Sequence, residues 1–170
     1  SRWGPAIARI VPLIAWIADR EFRHLPVQTA SARKLLDVGC GDGEFLANAV
    51  TCGWQVLGLE PDPKAAAVAR QRGVPVTLGG LESLAGEAEA FDVITLSHVI
   101  EHLHDPVQAL RDCRRLLRPG GWLWLETPNV DSLGHQVFGA NWRGLEAPRH
   151  LVLFSSRSLR QALETAGFAA

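Results

Sequence analysis

The sequence predicts an α/β fold, a mostly parallel sheet wrapped by helices on both faces, and three observations carry that prediction. From residue 34 onward, short apolar runs alternate with amphipathic stretches. Strands and helices taking turns along a chain are the pattern of a parallel sheet. A glycine-rich turn, "GCGDG" at 39–43, follows the first apolar run directly. The chain has 170 residues, 47% of them hydrophobic and 21% charged, the balance of one packed domain with a substantial core.

Each element has its own signal. Ile7, Ile10, Ile14 and Ile17 recur at helical spacing and predict an N-terminal helical segment over 1–28, which Pro12 kinks or splits. A linker at 26–32 leads into the main domain, 29–170. Residues 34–38 form a buried strand, and 44–52 a helix closed by Gly53 just past its end. The second strand is 55–60. Asp62 and Pro63 then supply an N-cap and a first-turn proline for a helix that stops at Gly73. The third strand spans 74–78 and the fourth 91–97. Pro106 opens a helix with Val107, Leu110, Cys113 and Leu117 along one face, and "RPGG" at 118–121 ends it in a tight turn. The fifth strand is 122–127. A last helix begins near Ser155 or Ser156 and sets Leu159, Ala162, Leu163 and Ala166 at i, i+3, i+4, i+7. The crossovers between parallel strands are expected to be right-handed.

Composition narrows the function classes. A formal net charge of -1 gives no electrostatic footprint for nucleic acid or an anionic membrane, so neither is expected as a partner. Three cysteines without C-x-x-C spacing argue against a disulfide framework and a zinc site, and for reduced thiols in the cytoplasm. The longest apolar stretch, 10–18, falls short of the roughly 20 residues a membrane span needs.

In an open α/β sheet, ligands bind beyond the carboxyl ends of the strands, where Gly39, Gly41 and Gly43 lie. Glycine permits positive φ and lets a ligand approach the backbone. The helix starting at Glu44 offers unpaired N–H groups to a ligand carboxylate. Glu60, closing the second strand, can accept hydrogen bonds from both hydroxyls of a ribose. The nicotinamide fingerprint G-x-G-x-x-G is not met, because the third glycine arrives one residue early and position 44 is glutamate.

"LLDVGCGDGEF" resembles the first motif of class I S-adenosylmethionine-dependent methyltransferases, an acid followed by x-G-x-G-x-G. "VLGLEPDP", "FDVITLSHVIEHLHDPVQAL", "LRPGGWLWLETPN" and "FSSRSLRQALETAGF" are similar to that family in the same order, over about 34–168. The likeness is to the small-molecule branch that includes ubiquinone-biosynthesis-type O-methyltransferases. It implies a Rossmann-like three-layer sandwich and S-adenosyl-L-methionine as cofactor, leaving as S-adenosyl-L-homocysteine. It further implies that Asp37 and the loop Gly39, Cys40, Gly41, Asp42 and Gly43 hold the methionine part, with Glu60 and Pro61 at the ribose. "GGLESL" at 79–84 then borders the adenine, with Gly80 standing where many relatives have an aspartate and the Leu81 N–H facing a ring nitrogen. Ser97 and His98 floor the site.

"SHVIEHLHDP" holds His98, His102 and His104. Asp105 reads as an N-cap to the next helix, and no third-ligand pattern accompanies the pair at i and i+4, so no metal is expected. The resemblance sets Glu101-His102 close to where the methyl group is delivered. His102 is then a candidate general base, or a residue that packs and hydrogen-bonds beneath the cofactor. The long connection 129–154 carries Phe138, Trp142, Arg143, Arg149 and His150, a set suited to an acidic or ring-bearing substrate. His150 is the second candidate base, or a residue that fixes the loop.

These readings converge on a methyltransferase moving a methyl group to an oxygen or nitrogen of a small molecule. Its rivals are an NAD-dependent oxidoreductase on a related sheet and a catalytically silent cofactor-binding module. In the family the helix ending in "AGF" leads into two further strands, whereas this sequence stops at Ala170. The expectation is therefore a C-terminally truncated, five-stranded core whose fifth strand is an edge. That edge is either paired across molecules in self-association or covered by the 129–154 connection.

Overall fold

The computed structural model describes Leu25 and residues 33–169, so the helical segment expected over 1–28 lies outside the described residues except for Leu25. Five strands, β1 (Lys34–Val38), β2 (Gln55–Glu60), β3 (Val76–Leu78), β4 (Phe91–Ser97) and β5 (Leu117–Glu126), form one sheet in the order β3-β2-β1-β4-β5. Every pairing in it is parallel. Between the strands run α1 (Glu44–Thr51), α2 (Pro63–Gln71) and α3 (Pro106–Leu116), followed by α4 (Leu133–Phe138) and α5 (Ser156–Thr165).

β1 shows how the layers arise. Successive side chains point to opposite faces, so Leu35 joins a core with Leu46, Ala49 and Trp54 on the α1 side. Leu36 and Val38 join the other core, with Leu110, Cys113 and Leu116 of α3 and Ala162 of α5. The result is a three-layer sandwich. Burial in the second core pushes the Cys113 thiol up to about 12, leaving it a packing residue and a poor nucleophile.

The helix starts follow the sequence signals. Asp62 accepts from the Lys64 N–H at 2.9 Å and Asp105 from that of Gln108 at 2.9 Å, each ahead of a first-turn proline. Ser155 and Ser158 form a reciprocal capping box at α5.

Two strand boundaries differ from expectation. β3 begins at Val76 because Pro75 has no N–H to donate to the ladder, although its carbonyl accepts from Gly58. β5 begins at Leu117, before "RPGG", because that turn is a bulge inside the strand and does not precede it. Phe91 pairs with Leu117 and Val93 already pairs with Trp122, with the intervening residues looped out. The Arg118 guanidinium secures the bulge on Asp92 at 2.9 Å. Leu117, expected on the face of α3, is thus the first residue of the strand.

Among the described residues β5 is the last strand on its side of the sheet, despite a run of apolar residues typical of a central strand. Beside Leu123 and Leu125 runs a cleft of about 940 Å³ walled by Leu159, Leu163 and Phe168 of the α5 region. The 129–154 connection is itself structured. It holds α4 and two short 3₁₀ turns, and the Val130 N–H donates to the Phe154 carbonyl at 2.8 Å to close it. Among the described residues, no helix is long and apolar enough to cross a membrane.

Candidate active site at the carboxyl end of the sheet

The chain runs outward from β1 to β3 and then returns to β4, so β1 and β4 flank the point where the topology reverses. Crevices for ligands open at such switch points. There the backbone leaves β1 through Gly39, Gly41 and Gly43, all with positive φ (70°, 57° and 78°). The Gly39 and Cys40 N–H groups both donate to the Leu59 carbonyl, at 2.8 and 3.0 Å, tying the loop to β2. Glu60 is buried, and its two carboxylate oxygens accept from the Gly41 N–H at 2.7 Å and the Asp62 N–H at 2.9 Å. A carboxylate offers about four lone-pair sites, so capacity remains on the side facing the cavity. Beneath the loop, Asp37 is fully buried and accepts from the Thr95 hydroxyl at 2.7 Å.

A cavity of about 840 Å³ opens above these groups. Of the residues expected to bind a cofactor, Gly39, Glu60, Pro61, Gly80, Leu81 and His98 line it. The others stand apart. Asp37 lies under the loop; Cys40 is buried against Gly58; Asp42 pairs with Arg72 at 2.8 Å; and Gly43 packs against Ala69. Gly41 touches the cavity only through Glu60, and Ser97 is the last residue of β4. Glu82, within the "GGLESL" stretch, and Arg149, from the connection, also line the cavity, as do Gln108 and Asp112 of α3, which no sequence signal singles out. Glu82 folds back onto the Gly80 N–H at 2.6 Å, a local turn signalled by the glycine pair at 79–80. Arg149, expected beside the substrate with Trp142 and Arg143, lines this first cavity instead.

A second cavity, of about 530 Å³, adjoins the first and shares His98 and His102 with it. Its other walls include Glu126 and Thr127 from the end of β5, and Trp142, Arg143 and His150 from the connection. The two candidate bases meet here with ring centroids 4.9 Å apart, edge to face. His102 Nδ1 lies 2.8 Å from the Arg149 carbonyl and His150 Nδ1 2.8 Å from that of Gly144. A carbonyl can only accept, so each Nδ1 is the protonated nitrogen. His150 Nε2 also faces Glu146 at 3.4 Å, and the ring is 5% exposed.

His98 is placed differently. Its φ is +53°, unusual for a residue with a side chain, and its N–H is fixed to the Glu126 carbonyl at 2.9 Å. The ring is half exposed, with Nδ1 3.4 Å from Glu101 Oε1 and Nε2 3.9 Å from Glu126 Oε2. These are ion-pair distances and not tight hydrogen bonds. Glu101 is buried and accepts from the Thr127 hydroxyl at 2.9 Å. Burial pushes its carboxyl up, but the facing His98 ring, a backbone N–H and Thr127 outweigh that and hold it below the ordinary value. The Glu101 carbonyl in turn receives the Leu151 and Val152 N–H groups, at 2.8 and 3.1 Å, which pins the connection over the site. Glu101, His102 and His150 bring one ligand-type atom each within 4.8 Å of one another. Thr127 and His98 face that carboxylate, and a backbone carbonyl faces Nδ1 of each ring.

Comparison with known proteins adds the family. A family model described as "Methyltransferase domain" matches residues 11–170. A ubiquinone biosynthesis O-methyltransferase of Chromobacterium violaceum is 34% identical over 148 residues, covering 75% of this chain and 64% of its own length. The chain thus spans less than two thirds of that relative. An enzyme of the same name from Paraburkholderia phymatum is 33% identical over 184 residues, covering 99% of this chain and 75% of its own. Among solved structures, a Thermotoga maritima protein described as an SAM-dependent methyltransferase, possible histamine N-methyltransferase, superposes with a TM-score of 0.72. It is 25% identical and covers 99% of this chain and 75% of its own.

Proposed function

The chain belongs to the class I S-adenosylmethionine-dependent methyltransferases, and on that premise we propose that it moves a methyl group from S-adenosylmethionine to a hydroxyl or amine of a small, ring-bearing acceptor. The observation that carries this reading is the pair of cavities meeting at His98 and His102. A donor in the first and an acceptor in the second face each other across that junction.

In this reading the Gly39–Gly43 loop cradles the methionine end and Asp37 supports the loop from beneath. The cavity-facing side of Glu60 takes the ribose hydroxyls, and Gly80, Leu81 and Glu82 border the adenine. Trp142 offers a flat apolar wall and Arg143 a cation, which together suit a ring carrying an acidic group. Because the sulfonium donor is already activated, the chain's main work is to align acceptor and methyl carbon in line and to exclude water.

Methyl transfer from S-adenosylmethionine with a deuterated methyl group, followed by mass spectrometry, tests this. 3,4-Dihydroxybenzoate is expected to gain the label, and Arg143→Gln to raise its KM roughly 10-fold or more, the loss of one charge-assisted contact. Labelling of the amine histamine in preference to the acid would contradict the assignment of Arg143.

A further inference from the structure

We propose that His98, oriented by Glu101, is the group that removes the acceptor's proton during methyl transfer. This rests on the methyltransferase reading and goes beyond it, since His102 and His150 are the bases that the sequence suggests. His150 has its Nδ1 held by the Gly144 carbonyl and is nearly sealed, the arrangement of a residue that fixes a loop. His102 reaches both cavities, but the partner of its Nδ1 is a neutral carbonyl. His98 also reaches both cavities, and it stands between two carboxylates. A ring that gains a proton becomes a cation, and a full negative charge stabilises it more than a carbonyl dipole does. The left-handed backbone at His98 is the strained conformation that functional residues often hold, and the bond to the Glu126 carbonyl maintains it.

The step balances. The acceptor oxygen forms a bond to the methyl carbon as the carbon–sulfur bond breaks, and that bond's electron pair stays on sulfur as a neutral thioether. The acceptor's proton passes to His98 Nε2. The positive charge lost from sulfur reappears on the imidazolium, facing Glu101 from the turn after β4 and Glu126 from the end of β5. Across the second cavity stand His102, Arg143, Glu146 and His150, whose charges the pH profile also reports. Glu101 is a positioning residue here, and Thr127 holds it.

The test combines turnover with titration. At saturating cofactor, His98→Gln is expected to lower kcat for 3,4-dihydroxybenzoate by about 10²–10⁴-fold. The loss should be far smaller with 4-nitrocatechol, which is ionised at mildly alkaline pH and needs no base. Independently of turnover, ¹⁵N NMR should show the His98 ring titrating at lower pH in Glu101→Gln than in the wild type, because a facing negative charge is gone. Thr127→Val, which frees Glu101 to move while keeping its charge, should alter the titration by less than Glu101→Gln does. Retention of more than a tenth of kcat in His98→Gln would overturn the proposal. So would an unmoved His98 titration in both other variants, or a rate abolished by EDTA and restored by a divalent cation. Failure of the wild type to bind S-adenosylhomocysteine would instead sink the methyltransferase reading, and the titration would still show whether His98 and Glu101 act as a pair.

Discussion

Glu60→Ala is expected to weaken S-adenosylhomocysteine binding by about 1–3 kcal/mol, the cost of leaving ribose hydroxyls without a charged acceptor. The same substitution should lower stability, because the Gly41 and Asp62 N–H groups both lose a buried acceptor. Gly41 is half-buried and Asp62 exposed, so water replaces part of the lost bonding; the loss is about 1 kcal/mol and the melting temperature should fall by a few degrees. Glu60→Gln is expected to lower both affinity and stability. It keeps the shape but replaces one accepting oxygen with a donor, which must then face the Gly41 or the Asp62 N–H. Glu60→Asp retains the charge on an arm too short to reach the loop and the ribose together, and should recover only part of the affinity. Calorimetry on the four proteins checks this, and equal affinities would place the ribose elsewhere.

Gly43→Ala is expected to destabilise the fold by about 2–5 kcal/mol. Its φ of +78° costs a residue with a Cβ roughly 1–2 kcal/mol. An added Cβ would also stand 2.8 Å from the Ala69 Cβ and 3.1 Å from its Cα, where α1 approaches α2. The second of these is backbone and cannot swing away, and overpacking of this kind adds about 1–3 kcal/mol. Gly41→Ala is the control. It has a similar φ of +57° with no atom within 4 Å of the new Cβ, so only the backbone term applies. Thermal melts that rank the two variants equally would show that the close approach at Gly43 is not a constraint.

Much of this architecture was legible in the sequence. β1, β2 and β4 are legible with their observed bounds, because each is a short apolar run ending at a polar or flexible residue: Gly39 after β1, Glu60 in β2 and Ser97 in β4. The glycine loop and Glu60 were legible for the same reason: both are local signals at strand ends. The start of β5 is not, since "RPGG" has the composition of a stop, and it becomes a bulge through long-range pairing of Leu117 with Phe91 and Trp122 with Val93. Nor was the pairing of His98 with Glu101 and Glu126. It depends on the register that sets Ser97 beside Glu126 and on the turn that folds Glu101 back beneath His98. The 129–154 connection was read for its aromatic and cationic residues but not for α4, although Ser132, which accepts from the His135 N–H, was an available N-cap signal.

The central claim is that the cavity above Gly39 and Glu60 takes S-adenosylmethionine, and parallel calorimetric titrations with S-adenosylhomocysteine and NAD test it most directly. The account predicts saturable single-site binding of S-adenosylhomocysteine, weakened in Glu60→Ala, and no detectable heat from NAD. Binding of NAD without S-adenosylhomocysteine, or S-adenosylhomocysteine binding indifferent to Glu60, would contradict it.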